Sequence, residues 1–143
     1  MKYPGATPSC EPMISRILIV DDNADLAEGL RDTLAEEGHI AVAATGPAQA
    51  LSLASSVTPD IVISDIELPI MNGYELASRL RALPQLADCL FIALTGYGQS
   101  HDPHQSRASG FQHHLVKPVD MHRLLTIVAE RASRDGASRS ART

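Results

Sequence analysis

Two patterns of apolar residues alternate along this chain. Short continuous runs rich in Ile, Leu and Val are typical of strands buried on both faces of a sheet. Stretches in which apolar residues recur every three or four positions are typical of amphipathic helices. The runs predict five strands, at 17–20, 39–44, 60–64, 90–94 and 113–116. The recurring stretches predict helices that begin after Asn23, at Pro47, at Gly73, near Asp102 and after Pro118.

Capping residues define the ends of the first predicted helix, whereas the fourth predicted helix has a capping signal but almost no apolar residues. Asn23 is a good N-cap residue for the first helix, and Gly38 is a typical helix stop. The Asp102-Pro103 pair suits an N-cap and first helical position, but between residues 100 and 109 only Ala108 is apolar. We therefore expect the fourth helix to be short and mobile.

This order of elements predicts an α/β fold. Five strand–helix units with right-handed crossovers give a doubly wound, five-stranded parallel sheet with five helices on its two faces. Ligands in such sheets bind at the carboxyl ends of the strands. Polar residues stand at the carboxyl ends of strands one, three, four and five. They are Asp21, Asp22, Asp65, Thr95 and Lys117. We expect all five to meet at one edge.

The chemistry of these residues suggests a metal and a phosphoryl group. Carboxylates gathered in one crevice repel one another unless a cation neutralises them, and oxygen ligands suit a hard ion such as Mg²⁺. Lys117 and the Thr95 hydroxyl could then cover the oxygens of a phosphoryl group. Asp65 is the natural nucleophile, because a carboxylate can form an acyl phosphate.

Composition narrows the class of protein and its surroundings. The chain has 143 residues, 44% of them hydrophobic, and a net charge of -5. Disorder of the whole chain is excluded, a second large domain has no room, and an acidic chain with few aromatic residues does not suit nucleic acid. No apolar run is long enough for membrane insertion. Cys10 and Cys89 have neither disulfide nor metal spacing, so we expect a cytoplasmic protein.

The same composition predicts three segments. Residues 1–15 are rich in proline and are expected to form a flexible leader. Residues 16–132 carry the alternating pattern and form the domain. Residues 133–143 are rich in Ser and Arg, with no Leu, Ile, Val or aromatic residue, and are expected to be a disordered tail.

Four sequence pieces resemble the receiver domain of two-component response regulators. They are ILIVDDN at 17–23, DIELPIMNG at 65–73, ALTG at 93–96 and LVKPVD at 115–120. The resemblance spans about residues 16–132 and implies the flavodoxin-like strand order 2-1-3-4-5. It also implies a cis Lys117–Pro118 bond.

The resemblance assigns roles to the residues at the predicted edge. Asp65 would be the phosphoacceptor, Thr95 the switch hydroxyl and Lys117 the lysine that contacts phosphate. Mg²⁺ would be held by Asp21, Asp22, Asp65 and the backbone carbonyl of Glu67. A histidine kinase or histidine phosphotransfer protein would then phosphorylate Asp65. The chain would be no enzyme beyond assisting its own phosphorylation and hydrolysis, and would signal through a downstream protein.

One position departs from the family pattern. Receivers usually carry an aromatic residue three positions before the lysine, where this chain has His114. The imidazole is flat and polar, so His114 is a candidate switch residue that could respond to pH near neutrality. An ordinary histidine near the end of a strand is an equal alternative.

Other functions fit the sequence less well. A Mg²⁺-dependent phosphohydrolase with an aspartyl nucleophile is the main alternative, but such enzymes usually need a cap or substrate loop, and the loops here are short. A flavin-binding module is disfavoured because Asp21 and Asp22 would repel a flavin phosphate. A histidine metal site at His101, His104, His113 and His114 lacks regular ligand spacing.

Overall fold

The five predicted strands form one parallel sheet. The computed structural model describes residues 14–68, 70–96 and 108–142. The sheet order is β2-β1-β3-β4-β5, as the resemblance implied. The strands are β1 (Arg16–Val20), β2 (Ile40–Ala44), β3 (Ile61–Asp65), β4 (Leu90–Thr95) and β5 (Phe111–Val116). Every paired strand runs parallel to its neighbour.

Four of the five predicted helices lie within the described residues. They are α1 (Ala24–Glu36), α2 (Pro47–Val57), α3 (Gly73–Arg81) and the C-terminal helix (Met121–Arg142), with a short 3-10 turn at Pro84–Leu86. The helix predicted to begin near Asp102 falls on residues outside the described part of the chain. The Asn23 prediction is confirmed, since its side chain accepts hydrogen bonds from the backbone N–H groups of Asp25 and Leu26.

The sheet is covered on both faces, as a doubly wound fold requires. Alternate residues of β1 point to opposite faces, so that Leu18 and Val20 pack with α2 and α3, while Ile17 and Ile19 pack with α1 and the C-terminal helix. All four side chains are fully buried. This two-sided burial explains why the strands contain continuous apolar runs instead of alternating ones.

The C-terminal helix continues into the segment for which composition predicted disorder. Its backbone is helical to Arg142, whereas the composition of residues 133–143 predicts a disordered tail. Alanine and arginine are good helix formers and recur throughout this stretch. The prediction relied on the lack of large apolar residues, which removes a reason to pack but does not prevent a helix from extending.

Ile70 combines an unfavourable backbone with a fully exposed side chain. Its φ is 72°, in the left-handed region that β-branched residues avoid at a cost of roughly 1–2 kcal/mol. Its side chain is 101% exposed, so no packing within the described chain offsets this cost. We expect Ile70→Asn to raise the free energy of unfolding by about 1 kcal/mol, because Asn tolerates this conformation.

Urea unfolding of both proteins tests this expectation. Ile70→Val is the matched control, since valine is also β-branched and should leave the midpoint unchanged. A midpoint for Ile70→Asn at or below that of the wild type would contradict the strain argument.

His39 provides a pH-dependent contact beside the start of β1. Its Nδ1 accepts a hydrogen bond from the backbone N–H of Ser15 at 3.1 Å, which requires an unprotonated nitrogen. Burial lowers the pKa of His39 below its ordinary value of 6.5, although Glu37 opposes the shift. The unfolded chain therefore binds this proton more readily than the folded chain, and stability is lost as the pH falls below about 6.5.

We expect the wild type to lose about 1 kcal/mol more than His39→Asn between pH 7.5 and pH 5.5, the contribution of about one hydrogen bond. Asparagine retains an acceptor that does not titrate. Urea unfolding at the two pH values measures the difference, and the other titrating groups cancel because both proteins contain them. Equal losses in the two proteins would contradict this expectation.

Candidate functional site

Three carboxylates meet at the carboxyl edge of the sheet. Asp21 and Asp22 follow β1, and Asp65 is the last residue of β3. Because β1 and β3 are adjacent and parallel, these strand ends lie side by side. One oxygen from each of the three residues lies within 4.8 Å of the others. The convergence predicted from the strand ends is therefore confirmed for all three acids.

Asp21 is the most deeply buried member of this acidic trio. Its solvent exposure is 0%, and its Oδ1 accepts a hydrogen bond from the backbone N–H of Asn23 at 2.9 Å. Its Oδ2 lies 2.7 Å from Lys117 Nζ, a charge contact that is not aligned as a hydrogen bond. Asp22 is exposed. One buried charge and one accessible charge thus flank Asp65.

The two carboxylate oxygens of Asp65 accept hydrogen bonds from two different donors. Its Oδ1 accepts from the backbone N–H of Glu67 at 3.0 Å, and its Oδ2 accepts from Lys117 Nζ at 3.2 Å. Burial raises the pKa of the Asp65 carboxyl above its usual value and the charge of Asp21 adds to the shift, while the Glu67 N–H and Lys117 oppose it. A carboxylate fixed in orientation and close to an ammonium is well placed for nucleophilic chemistry.

Lys117 reaches the acids from the end of β5. Burial alone would lower its pKa, but the contacts with Asp21 and Asp65 outweigh burial and raise it, so the side chain stays protonated. Its backbone N–H donates to the carbonyl oxygen of Thr95 at 2.7 Å. The Lys117–Pro118 bond is cis, as the resemblance implied.

Thr95 and Glu67 complete the predicted set. Thr95 ends β4 at the same edge and is 1% exposed. The side chain of Glu67 is exposed, while its backbone N–H contacts the Asp65 carboxylate and so brings its main chain beside the acids. Thr95 therefore lies at the predicted edge, while the Glu67 carbonyl as a metal ligand stays a prediction.

The donor set fits a hard divalent cation. Three carboxylates carry three negative charges, and the ion pairs found in the described part of the chain give them one ammonium group. Asp21 Oδ2 is buried, and the partner described for it is the Lys117 ammonium at 2.7 Å, which Asp65 shares. An all-oxygen site with this excess of negative charge suits Mg²⁺, which binds through one or two carboxylates and retains several waters.

The histidines do not form a second metal site in the described chain. Among the described residues, one group of three or more potential ligands is close enough together to bind one ion. That group is the acidic trio, and it contains no histidine. His101 and His104 lie outside the described residues. His114 is half-buried on β5 beside Ala93 of β4, and its ring centroid lies 6.3 Å from that of Phe111.

Gly73 contributes to the site through the space that it leaves. It begins α3, and its N–H donates to the carbonyl oxygen of Ile66 at 2.7 Å. A Cβ at this position would overlap the carbonyl oxygen of Asp65 and lie 2.7 Å from Ile66 Cα. This close contact leaves no signal in the spacing of the sequence, because it joins residues eight positions apart.

Within the part of the chain that the structure describes, every helix is too short or too polar to span a lipid bilayer.

Comparisons with known proteins agree with this geometry. A family model described as "Response regulator receiver domain" matches residues 17–129. The "Uncharacterized 14.6 kDa protein in sodA1 3'region" of Leptolyngbya boryana is 40% identical over 114 residues, which are 80% of this chain and 87% of that protein. The virulence sensor protein BvgS of Bordetella bronchiseptica is 34% identical over 134 residues, but these cover only 11% of its length.

Solved structures show the same fold. A CheY-like response regulator receiver domain protein from Methanospirillum hungatei JF-1 has a TM-score of 0.78 and 26% identity, covering 87% of this chain and 98% of that one. The chemotaxis response regulator CheY4 of Vibrio cholerae has a TM-score of 0.75 and 26% identity, covering 82% and 98%.

Proposed function

This chain belongs to the response regulator receiver domain family, and on that premise we propose that Asp65 is its phosphoacceptor. Receiver domains are regulatory modules that accept a phosphoryl group on an aspartate. The observation that carries the assignment is the position of Asp65. It is the carboxylate whose two oxygens contact the Glu67 N–H and Lys117 Nζ within the acidic trio.

The proposed reaction is a phosphoryl transfer from a histidine. One Asp65 oxygen attacks the phosphorus of a phosphohistidine on a histidine kinase or phosphotransfer protein. A P–O bond forms and the P–N bond breaks, and its electron pair returns to the imidazole of the donor, whose other ring nitrogen carries a proton. The product is an acyl phosphate on Asp65 and a neutral histidine on the donor.

The surrounding residues would stabilise charge and position the group. Lys117 would contact a phosphoryl oxygen once Asp65 is modified, and the Thr95 hydroxyl would contact another. Asp21, Asp22, Asp65 and the Glu67 carbonyl would hold Mg²⁺. When bound, the ion supplies positive charge that lets two anions approach each other.

The new charge is expected to change partner binding. A phosphoryl group adds close to two negative charges and three acceptor oxygens, which favours a different arrangement of the groups around it. We propose that a downstream protein in the cytoplasm recognises this change. The family match at 17–129 supports 16–132 as the functional unit, with 133–143 as a tail outside it. Residues 1–15 would be a leader whose last residue, Ser15, is buried against the domain.

Labelling with a small phosphodonor tests the assignment. The protein is incubated with acetyl phosphate and MgCl₂, and intact mass spectrometry should show one added phosphoryl group in the wild type and none in Asp65→Asn. Omitting Mg²⁺ should abolish the label. Label that persists in Asp65→Asn would overturn the assignment.

The same incubation separates a receiver from a phosphohydrolase. A receiver forms one adduct per chain and releases it slowly, without turning over other phosphoesters. Multiple-turnover phosphate release from several phosphoesters, lost in Asp65→Asn, would instead support the hydrolase. The described loops at the site provide no cap that would enclose such substrates.

His114 is proposed as the residue that reports the state of Thr95. The register pairs His114 of β5 with Ala93 of β4, and Val116 of β5 with Thr95 of β4. His114 therefore lies on the strand next to Thr95, two residues before the position that pairs with it. His114→Ala should therefore reduce the difference in partner affinity between the phosphorylated and unphosphorylated forms. An unchanged affinity in both forms would exclude this role.

A further inference from the structure

Ser64 is a polar residue on an apolar face of the sheet. It lies in β3 directly before Asp65, is 1% exposed, and pairs with Val20 of β1 and Ala93 of β4. The alternation of the strand places it on the same face as Val62, in the core formed with α2 and α3. A buried hydroxyl is unfavourable unless it is hydrogen-bonded, so its contact is informative.

The Ser64 hydroxyl contacts the main chain of the proposed phosphoacceptor. Its Oγ donates to the carbonyl oxygen of Asp65 at 3.0 Å. The same peptide group, between Asp65 and Ile66, donates its N–H to the carbonyl oxygen of Leu94 at 3.1 Å. This peptide group is thus held at both polar ends, by β4 on one side and by Ser64 on the other.

The loop that shapes the site begins at this peptide group. The carbonyl oxygen of Ile66 accepts from the N–H of Gly73 at 2.7 Å, and the N–H of Glu67 donates to Asp65 Oδ1 at 3.0 Å. Rotation of the Asp65–Ile66 peptide would move both contacts together. The orientation of the Asp65 carboxylate is therefore linked to the orientation of this peptide group.

We propose that Ser64 is a positioning residue for phosphoryl acceptance. It does not touch the donor; its hydroxyl fixes the Asp65–Ile66 peptide, which sets Asp65 Oδ1 against the Glu67 N–H. This inference rests on the proposed function of Asp65, and it adds a residue that the spacing of the site residues does not indicate.

Loss of the hydroxyl should slow modification of Asp65 while leaving the fold intact. We expect Ser64→Ala to reduce the rate of labelling by acetyl phosphate at saturating Mg²⁺ by about fivefold to tenfold, the factor that corresponds to one hydrogen bond. Ser64→Thr restores a hydroxyl in a residue that suits strands and should recover most of the rate. Ser64→Cys keeps a group of similar size with a weak donor and should behave like Ser64→Ala.

Two other buried serines provide matched controls. Ser15 and Ser109 are 3% and 6% exposed. The hydrogen bonds described for Asp65 come from Ser64, Glu67 and Lys117, and neither control serine is among these partners. Ser15→Ala and Ser109→Ala remove the same atom and should leave the labelling rate unchanged. Urea unfolding of all variants shows whether a slower rate follows from lost stability. If Ser64→Ala does not fold, the pair Ser64→Cys and Ser64→Thr makes the same comparison.

The outcomes separate this inference from the proposed function. A wild type that takes no label at Asp65 overturns the proposed function itself. A labelled wild type with Ser64→Ala as fast as the control variants overturns only the role of Ser64. A slow Ser64→Ala that a folded Ser64→Thr does not rescue also overturns it, because the hydroxyl would then not be the cause.

Discussion

Gly73→Ala is expected to slow phosphorylation of Asp65 by about 10- to 100-fold and to destabilise the fold by about 1–3 kcal/mol. The added methyl group would overlap the carbonyl oxygen of Asp65. These atoms belong to main chain on both sides, so no flexible side chain can move aside. Either α3 or the end of β3 must shift, and a shift of β3 moves the Asp65 carboxylate away from Lys117 and the Glu67 N–H.

Gly29→Ala is the matched control for this substitution. Gly29 lies within α1, and a Cβ there would meet nothing within 4 Å. Alanine is favoured over glycine inside a helix by roughly 0.5–1 kcal/mol, so the control should stabilise the protein and leave labelling unchanged. Urea unfolding and acetyl phosphate labelling of the two variants measure both effects. Similar stability changes in the two would contradict the crowding argument.

Most of the fold could be predicted from the local pattern of apolar residues, because that pattern reflects which side chains are buried. Continuous apolar runs indicated strands covered on both faces, and all five strands are present. The main difference in the strands is at β5, which begins at Phe111 instead of 113. The pairing of β4 and β5 is irregular there, and Gln112 Oε1 accepts from the backbone N–H of Phe91 at 2.9 Å. A hydrogen bond between a side chain and the backbone of the neighbouring strand leaves no trace in the pattern of apolar residues, so the start of β5 could not be predicted from it.

The site could be predicted as far as strand ends determine it. Asp21, Asp65 and Lys117 follow from the rule that parallel strands end at one edge, and their contacts are confirmed. The sequence could not show which of Asp21 and Asp22 is buried. It also could not show the contacts of Ser64 and Gly73 with the main chain of Asp65, because these depend on side-chain and backbone geometry and not on residue spacing.

Lys117→Met is expected to have a large effect on both stability and function. At pH 7 without Mg²⁺, we expect a loss of roughly 3 kcal/mol in the free energy of unfolding. Lys117 Nζ lies 2.7 Å from Asp21 Oδ2 and 3.2 Å from Asp65 Oδ2, and removing one partner of a buried pair leaves charge uncompensated. Labelling by acetyl phosphate should slow by about 100-fold, as expected when a group that stabilises developing negative charge is removed.

Two changes of solution should narrow the difference in stability from the wild type. MgCl₂ should stabilise Lys117→Met by supplying positive charge to the acidic trio. Lower pH should act in the same direction. The pKa of Asp65 is already raised by burial and Lys117 opposes the shift, so without the lysine it rises further. The folded variant then binds a proton that the unfolded chain releases, and its relative stability increases as the pH falls.

Arg123→Met controls for the loss of one positive charge, since Arg123 is exposed on the C-terminal helix. Urea unfolding in EDTA and in MgCl₂, each at pH 7 and pH 5, compares the two variants with the wild type. Arg123→Met should change stability by no more than a few tenths of a kcal/mol in every condition. If Lys117→Met matches it in EDTA at pH 7, the buried carboxylates do not depend on Lys117 for their stability. A lysine with that behaviour would serve only the phosphorylated state, and its effect would appear in the labelling rate alone.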